Sequence, residues 1–227
     1  MQSVSRDQIN PTPRTTVRRL PKRAVYNREV IHQILDEALT CHVGFVDNGQ
    51  PFVIPTMHVR IDDRLYIHGS PGSRMIQRVR NGAPTCITVT LLDGLVLARS
   101  HMHHSMNYRS VLVLAAGEEI KAEQEKLAVL ESLVKHVVRR RWHDARQPNQ
   151  RELAATAVVS FALDEASAKV RTGPPIDEEE DYALRFWAGV IPLALRAEEP
   201  ISDPRLSPGI EPPEYAVSYA RPTGAAG

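Results

Sequence analysis

The chain has 227 residues, enough to bury one hydrophobic core, and this length favours one domain with extensions over two full domains. Its 28 Lys and Arg residues nearly balance 27 Asp and Glu residues, so net charge gives no attraction to nucleic acid or to an anionic membrane. The longest apolar stretches are too short to span a bilayer, and the N-terminus lacks the apolar block of a signal peptide, so we expect a cytoplasmic protein.

The first predicted segment is an N-terminal arm, residues 1–24. It combines three prolines with several basic residues and shows no apolar period that would anchor a core element. Two interpretations stay open: a solvated tail, or an arm that wraps a partner subunit and meets acidic or phosphate groups there. After Asn27, a residue type that caps helices, apolar side chains recur at helical spacing as far as Ala38 and predict a first amphipathic helix.

Short apolar runs joined by polar turns then predict an antiparallel meander of three hairpins. Asn48-Gly49 supplies the positive φ angles that a tight hairpin turn needs. Asp62-Asp63 and Asp93-Gly94 mark the second and third turns. The paired runs are 43–46 with 52–54, 59–61 with 65–67, and 85–91 with 95–98.

Helices and further strands surround this meander. A short helix over 73–80 is expected to cap or plug the sheet. Apolar residues at helical spacing predict a helix over 123–141 that packs on the sheet. β-Branched and aromatic residues predict strands at 111–115 and 157–163. Residues 198–227 contain six prolines and several glycines, which predict an extended or disordered tail.

The segment from Tyr66 to Arg74 is a candidate phosphate-binding turn. It leaves a strand and enters a helix, which brings together unpaired backbone N–H groups, the Ser73 hydroxyl and the Arg74 guanidinium. The alternative is a structural turn with Arg74 in solvent. Rossmann, P-loop, zinc-protease and hydrolase motifs are absent, and Cys41 and Cys86 form no CxxC pair that would indicate a zinc site.

The run from His101 to Val111 concentrates polar donors before an apolar strand. Histidines at 101, 103 and 104 suggest a metal, but no neighbouring Cys, Asp or Glu completes a typical zinc ligand set, so we expect none. The alternatives are a hydrogen-bonded histidine cluster at a strand end, or an anionic cofactor's site lined by Tyr108, Arg109 and Ser110.

A third block, residues 167–192, alternates basic, turn, acidic and aromatic character. Its acidic run, 177–181, is typical of a solvated helix start. Trp187 is one of two tryptophans in the chain. Such a ring near a chain end is either a core or interface plug or a surface that stacks on a cofactor, and both interpretations stay open.

Three segments of the sequence resemble one known family. Over roughly residues 18–200, the chain resembles the flavin-nucleotide-binding branch of the pyridoxamine 5'-phosphate oxidase-like family, which also contains nitroimidazole-resistance proteins. The matching motifs are Pro55-Thr56-Met57-His58 leading to Tyr66-Ile67-His68-Gly69, then His103-His104-Ser105-Met106-Asn107-Tyr108-Arg109-Ser110-Val111, and Lys169-Val170-Arg171-Thr172-Gly173-Pro174-Pro175 with Trp187-Ala188-Gly189-Val190-Ile191-Pro192.

The resemblance implies a mainly β fold with flanking helices (α+β), a six-stranded antiparallel split β-barrel of the FMN-binding type. It also implies a homodimer that holds FMN in each of two clefts between the subunits. The barrel domain is expected at 25–197, between the arm at 1–24 and the tail at 198–227. By position, the expected cofactor contacts are Pro55, Thr56 and Met57 along the isoalloxazine, His68, Ser73 and Arg74 at the phosphate, Tyr108, Arg109 and Ser110 beside the dimer interface, and Trp187 closing the pocket.

The implied function is an FMN-dependent oxidoreductase acting on an unidentified small molecule. No acid or base is assigned, and His58 and His68 are the candidates to watch. An Arg-x-His-type substrate motif is missing after Trp187, which argues against oxidation of pyridoxamine phosphate itself. Two alternatives stay open: a flavin-sensing dimer without turnover, and a haem-binding relative whose axial histidine comes from the 101–104 cluster. Neither nucleic acid nor membrane is expected as a partner.

Overall fold

A computed structural model describes residues 7–221, in which nine strands form one antiparallel sheet. Buried and solvent-facing positions alternate along the strands, as in Thr40–Asp47, where Cys41, Val43 and Phe45 point inward. The strands are β1 Ala24–Val25, β2 Thr40–Asp47, β3 Gln50–Ile61, β4 Arg64–Gly69, β5 Asn81–Leu97, β6 Ser105–Glu119, β7 Ala157–Ala162, β8 Ala166–Arg171 and β9 Gly189–Pro192.

Six of these strands close into a ring. The pairings run β2–β3, β3–β4, β4–β7, β7–β6, β6–β5 and β5–β2, so the last strand pairs with the first. β8 and β1 extend the sheet from β6, and β9 extends it from β5. The predicted mainly β fold, a six-stranded antiparallel barrel with few flanking helices, is confirmed.

The first two predicted hairpins form and share one long strand, whereas the third, 85–91 with 95–98, is wrong because both runs belong to β5. The runs 52–54 and 59–61 both belong to β3, which pairs with β2 and then with β4. Asp93-Gly94 marks an irregularity within β5, because β5 pairs with β6 on both sides of a register shift between Leu92 and Gly94. A bulge and a hairpin turn use the same residue types, so only the pairing partner separates them.

Two helices complete the main core. The Asn27 side chain caps α1 by accepting a hydrogen bond from the Val30 amide, and Ile31, Ile34 and Leu35 of this helix are buried in the core. α2 packs its buried residues Met75, Ile76 and Val79 into the same core. The helices are α1 Arg28–Glu37, α2 Arg74–Val79, α3 Glu123–Val137, α4 Gln150–Ala154 and α5 Glu214–Val217.

α3 lies on the outside of the barrel, where Val129 and Leu133 join a second apolar cluster with Val59 and Val158. The predicted helix over 123–141 is shorter in the structure, because Val138 is extended and Arg140 has a positive φ of 73°. No helix within residues 7–221 has the length and hydropathy to cross a membrane.

Parts of both terminal segments contact the barrel. Ile9 is 2% exposed, and its amide donates a 2.8 Å hydrogen bond to the Tyr26 carbonyl. A single buried isoleucine produces no repeating apolar pattern, so the sequence of the arm did not reveal this contact with the core. In the tail, the Tyr219 hydroxyl donates to the Val137 carbonyl at 2.9 Å. Predictions for residues 1–6 and 222–227 lie outside the described residues.

Candidate functional site

An apolar pocket of about 440 Å³ lies between α3 and the strands β3 and β4. Small-molecule pockets have volumes of roughly 300–1,000 Å³, so this one is large enough for a cofactor. Met57 of β3 and His68 of β4 form one wall, and Trp142 also lines the pocket. The α3 wall consists of Leu130, Leu133, Val134 and Val137.

His68 brings a polar ring into this apolar wall. Its buried Nδ1 atom has no hydrogen-bond partner within residues 7–221. A buried polar atom without a partner costs about 1–3 kcal/mol, so the ring marks a place where a bound ligand would restore a lost interaction. Burial lowers the pKa of His68, which favours the neutral imidazole that binds metal ions.

Basic side chains stand at the rim of the pocket. Arg146 forms a two-bond pair with Glu152, at 2.6 and 2.9 Å. Arg141 is exposed, and its Nη1 lies 3.4 Å from the Tyr215 hydroxyl. Within the described residues Arg141 has no carboxylate partner, so it can pair with an acidic group of a ligand at the rim.

Alternate residues of β3 form an exposed apolar stripe made of Val53, Pro55 and Met57. Val53 is 67% exposed and Met57 41% exposed. Thr56 has the opposite orientation and is half-buried. Contiguous apolar surface of this kind is typical of a binding surface. Met57 belongs both to the stripe and to the apolar pocket.

The turn between β4 and α2 leads into a helix as predicted, but the Arg74 guanidinium already lies beside the Asp47 carboxylate. Ser73 caps α2 by accepting a 3.2 Å hydrogen bond from the Ile76 amide. Arg74 Nε lies 3.5 Å from Asp47 Oδ2, and the guanidinium is 4.5 Å from the centre of the Phe52 ring. Arg78 pairs with the same carboxylate. The predicted phosphate contacts of Ser73 and Arg74 stay predictions.

The three predicted cofactor residues of β6 are divided between two faces of the sheet. Arg109 Nη2 contacts Asp93 at 2.7 Å and Glu37 at 2.9 Å, and these hydrogen bonds raise the pKa of Arg109. Arg109 therefore links α1 to β5. Tyr108 and Ser110 are on the other face, opposite Arg171 and Lys169 of β8.

Trp187 does not plug the core of its own chain, because it is 67% exposed. Its ring lies against Gly189, where an added Cβ would come within 2.9 Å of a ring carbon. Phe186 beside it is 65% exposed. This exposure argues against a core plug, so Trp187 either packs in a subunit interface or stacks on a cofactor.

The histidine cluster forms a strand-end turn outside the pocket. The Nδ1 atoms of His103 and His104 bond the carbonyls of Ile176 and Ser100 at 2.8 and 3.0 Å. His101 and His104 are exposed. Within residues 7–221, no group of three or more His, Cys, Asp or Glu side chains is placed to hold a metal ion. The pocket histidine is His68, which the sequence assigns to a phosphate.

His58, the other watched histidine, is sealed inside the protein at 0% exposure. Its Nε2 lies 2.9 Å from the Leu35 carbonyl oxygen, and its ring centre is 5.6 Å from that of His136. The ring has no access to a substrate and ties β3 to the end of α1.

The sequence predictions do not include the α3 wall of the pocket or the basic rim. One signal for the wall exists in the sequence. Apolar residues at 130, 134 and 137 widen the apolar side of α3 beyond Val129 and Leu133, which pack on the barrel. A helix with more apolar residues than its packing on the barrel needs is expected to contact something else, such as a ligand.

Comparisons with known proteins agree with this architecture. The family model for pyridoxamine 5'-phosphate oxidase matches residues 27–170. The structure of the flavocytochrome Anf3 from Azotobacter vinelandii has a TM-score of 0.88 and 42% identity, covering 93% of this chain and 98% of its own. The FAD and heme binding protein from Mycobacterium smegmatis has a TM-score of 0.81 and 34% identity, covering 85% of this chain and 95% of its own. A comparison with curated proteins gave no match.

Proposed function

The chain belongs to the pyridoxamine 5'-phosphate oxidase family, and from that premise we propose that it binds a flavin nucleotide and haem and acts as an oxidoreductase. The observation that carries the haem part is the unpartnered Nδ1 of His68 in an apolar pocket. The flavocytochrome and the FAD and heme binding protein that this chain resembles support both cofactors.

The pocket fits haem in three respects. Its walls are apolar, as the porphyrin requires, and its volume of about 440 Å³ suits a large ligand. His68 offers a neutral imidazole, the usual axial ligand of haem iron. Arg141 at the rim offers a guanidinium for a propionate carboxylate. When bound, haem would supply one-electron chemistry at its iron, and a flavin would supply hydride or electron transfer.

The position of His68 on a central strand would fix the orientation of its ring for binding the haem iron. β4 lies between β3 and β7, and His68 itself pairs with Val158 of β7. A ligand on a central strand keeps its orientation better than one on a loop. The exposed histidines 101 and 104 lack such a frame, so His68 rather than that cluster would hold the haem iron.

The flavin part of the proposal uses the exposed stripe of β3. Its apolar side chains would lie against the isoalloxazine, and Met57 would place that ring beside the haem pocket. Trp187, exposed in a single chain, would be covered in a homodimer and would close the flavin site from the partner. FMN and the dimer remain predictions of the family resemblance.

No acid or base is assigned to catalysis. His58 is sealed in the core, His68 would hold the haem iron, and Glu152, which lines the pocket, is paired with Arg146.

The test is an absorbance spectrum of purified protein before and after addition of hemin and of flavin. Wild type should take up both and show the bands of a histidine-ligated haem and of an oxidised flavin. His68→Ala should lose the ligated haem band and keep flavin. The exposed His101→Ala is the matched control and should retain both.

Added imidazole should restore the haem band of the His68→Ala protein, because it refills the ligand position without changing the fold. If His68→Ala binds haem with an unchanged spectrum, the axial assignment is wrong. A wild-type protein that takes up neither cofactor would refute the proposed function.

A further inference from the structure

The connection between α3 and α4, with the start of α4, concentrates positive charge. Residues 139–152 contain five arginines and only two carboxylates, so this stretch alone has a net charge of +3. The whole chain has a net charge of +1, so the other residues together carry −2. We call residues 139–151 the arginine segment. Its five cations are Arg139, Arg140, Arg141, Arg146 and Arg151.

Solvent reaches all five of these side chains, and most of their charge is not neutralised within the described chain. Arg146 pairs with Glu152. Arg140 lies 3.6 Å from Glu214, but the two side chains are 70% and 84% exposed, so water and salt screen this pair. Three of the five arginines form no ion pair within residues 7–221: Arg139, Arg141 and Arg151.

The arginine segment also forms part of the mouth of the apolar pocket. Arg141 and Arg146 line the pocket and are the ones placed to meet the two propionates of a haem. Trp142 lines it as well and is half-buried. Arg139, Arg140 and Arg151 do not line it, so their charge acts on whatever approaches the mouth from solvent. Exposed arginines around a tryptophan have the composition of a protein interface.

We propose that the arginine segment docks an acidic electron-transfer protein, an inference that rests on the haem binding proposed above. An oxidoreductase that reduces an acceptor needs an external source of electrons. In the docked complex the partner loses one electron and is oxidised, and the haem iron gains that electron and is reduced from ferric to ferrous. No bond forms or breaks and no proton moves in this step. Opposite charges raise the association rate and orient the two proteins, which suits the small, short-lived interfaces of redox partners.

The local structure favours a protein partner over a membrane or a nucleic acid. The helical turns near the segment, Arg141–Asp144 and Gln150–Ala154, are too short to lie in a membrane surface as an amphipathic helix. Nucleic acids are bound along extended positive surfaces that follow many phosphates, whereas the charge outside residues 139–152 is net negative. A compact basic patch at the mouth of a cofactor pocket matches an acidic patch around a partner's own redox centre.

Binding of the purified full-length protein to a plant-type [2Fe–2S] ferredoxin, an acidic protein, tests the proposal by calorimetry. Raising the ionic strength from about 20 to about 200 mM should weaken binding of wild type roughly tenfold. The double variant Arg139→Gln/Arg151→Gln should weaken binding at low salt about three- to tenfold. Both side chains lie outside the pocket lining, so haem uptake should not change. The matched control, Arg196→Gln/Arg205→Gln, removes two exposed arginines of the tail and should bind like wild type.

A kinetic measurement connects the docking surface to the haem. Reduced ferredoxin should reduce the haem-loaded double variant more slowly than haem-loaded wild type, by about the factor lost in affinity, as followed by stopped-flow absorbance. Neutral 5-deazariboflavin radicals, which need no charged docking surface, should reduce both proteins at the same rate. Slower reduction by both donors would overturn the proposal, because the substitutions would then act on the haem pocket.

The binding data decide the other outcomes. No binding of ferredoxin, binding that does not respond to salt, or equal affinities of wild type and Arg139→Gln/Arg151→Gln would overturn the proposal and leave haem binding standing. Tighter binding to single-stranded DNA or to anionic lipid vesicles than to ferredoxin, lost in the same variant, would also overturn it and assign the arginine segment to that partner. Ferredoxin binding with the expected sensitivities in a protein that takes up no haem would keep the acidic partner and refute the proposed haem function.

Discussion

Acidification from pH 7.5 to 4.5 should destabilise this protein through His58. The ring is at 0% exposure, with Nε2 bonded to the Leu35 carbonyl and Nδ1 buried without a partner. The pKa of His58 is lowered to about 4, chiefly by burial and also by the nearby His136, while the Leu35 carbonyl and Asp36 oppose the shift. An unfolded chain restores a pKa of about 6.5.

The sign of the effect follows from proton uptake. Between pH 6.5 and 4 the unfolded state binds a proton at His58 and the folded state does not, so the free energy of unfolding falls as the pH falls. About 2 pH units separate the unfolded pKa of about 6.5 from pH 4.5, and at about 1.4 kcal/mol per unit they give a loss of about 2–3 kcal/mol between pH 7.5 and 4.5. Lowered pKa values of His32 and His68 add to the loss in the same direction.

Urea unfolding at pH 7.5, 6.5, 5.5 and 4.5 measures this loss. His58→Gln is the matched variant, because its amide can donate to the Leu35 carbonyl and does not titrate. It should be less stable than wild type at pH 7.5 but should lose much less stability on acidification. Equal slopes for the two proteins between pH 7.5 and 4.5 would show that His58 does not control the acid response.

Two further predictions concern packing and ion pairs, and urea unfolding at pH 7.5 checks both. Gly117→Ala should lower the free energy of unfolding by about 3 kcal/mol or more, because its Cβ would overlap the Val79 carbonyl and lie 2.8 Å from Val159 and 2.9 Å from Phe161. The control is Gly72→Ala, whose Cβ would have its nearest neighbour 3.7 Å away and which should cost under about 1 kcal/mol. Equal losses of stability in the two variants would contradict the overlap at Gly117. Arg109→Met should lower the free energy of unfolding by about 2–4 kcal/mol, since Glu37 and Asp93 lose the cation that they share in a partly buried place. A loss below about 1 kcal/mol would show that these two ion pairs do not stabilise the fold.

Local chemistry in the sequence predicts the parts of the fold that depend on neighbouring residues. Asn48 and Gly49 have the positive φ angles, 49° and 79°, that a tight hairpin needs, and they join β2 to β3 as predicted. Asn27 caps α1 at the predicted place. Asp93-Gly94 has equally strong turn chemistry but lies inside β5, because β6 pairs with both sides of it.

The site is predicted less completely than the fold, because it joins segments that are distant in the chain. The family motif singles out His68, but its pocket is formed by α3, which begins 55 residues later. Nothing near His68 in the sequence shows that Leu133 and Val137 will face it. The motif also gives Arg109 as an expected cofactor contact. In the structure its guanidinium pairs with the carboxylates of Glu37 and Asp93, which are distant in the sequence.

The period of a β-strand gives each strand of this barrel two faces with different chemistry. On β6, Arg109 faces carboxylates that neutralise it, while Tyr108 and Ser110 face Lys169 and Arg171 on the other side. On β3, Val53, Pro55 and Met57 remain exposed while intervening residues are half-buried. A shift of one residue in either strand would exchange these faces. The register that builds the core therefore also places the carboxylate-paired Arg109 on one face of β6 and the residues opposite Lys169 and Arg171 on the other.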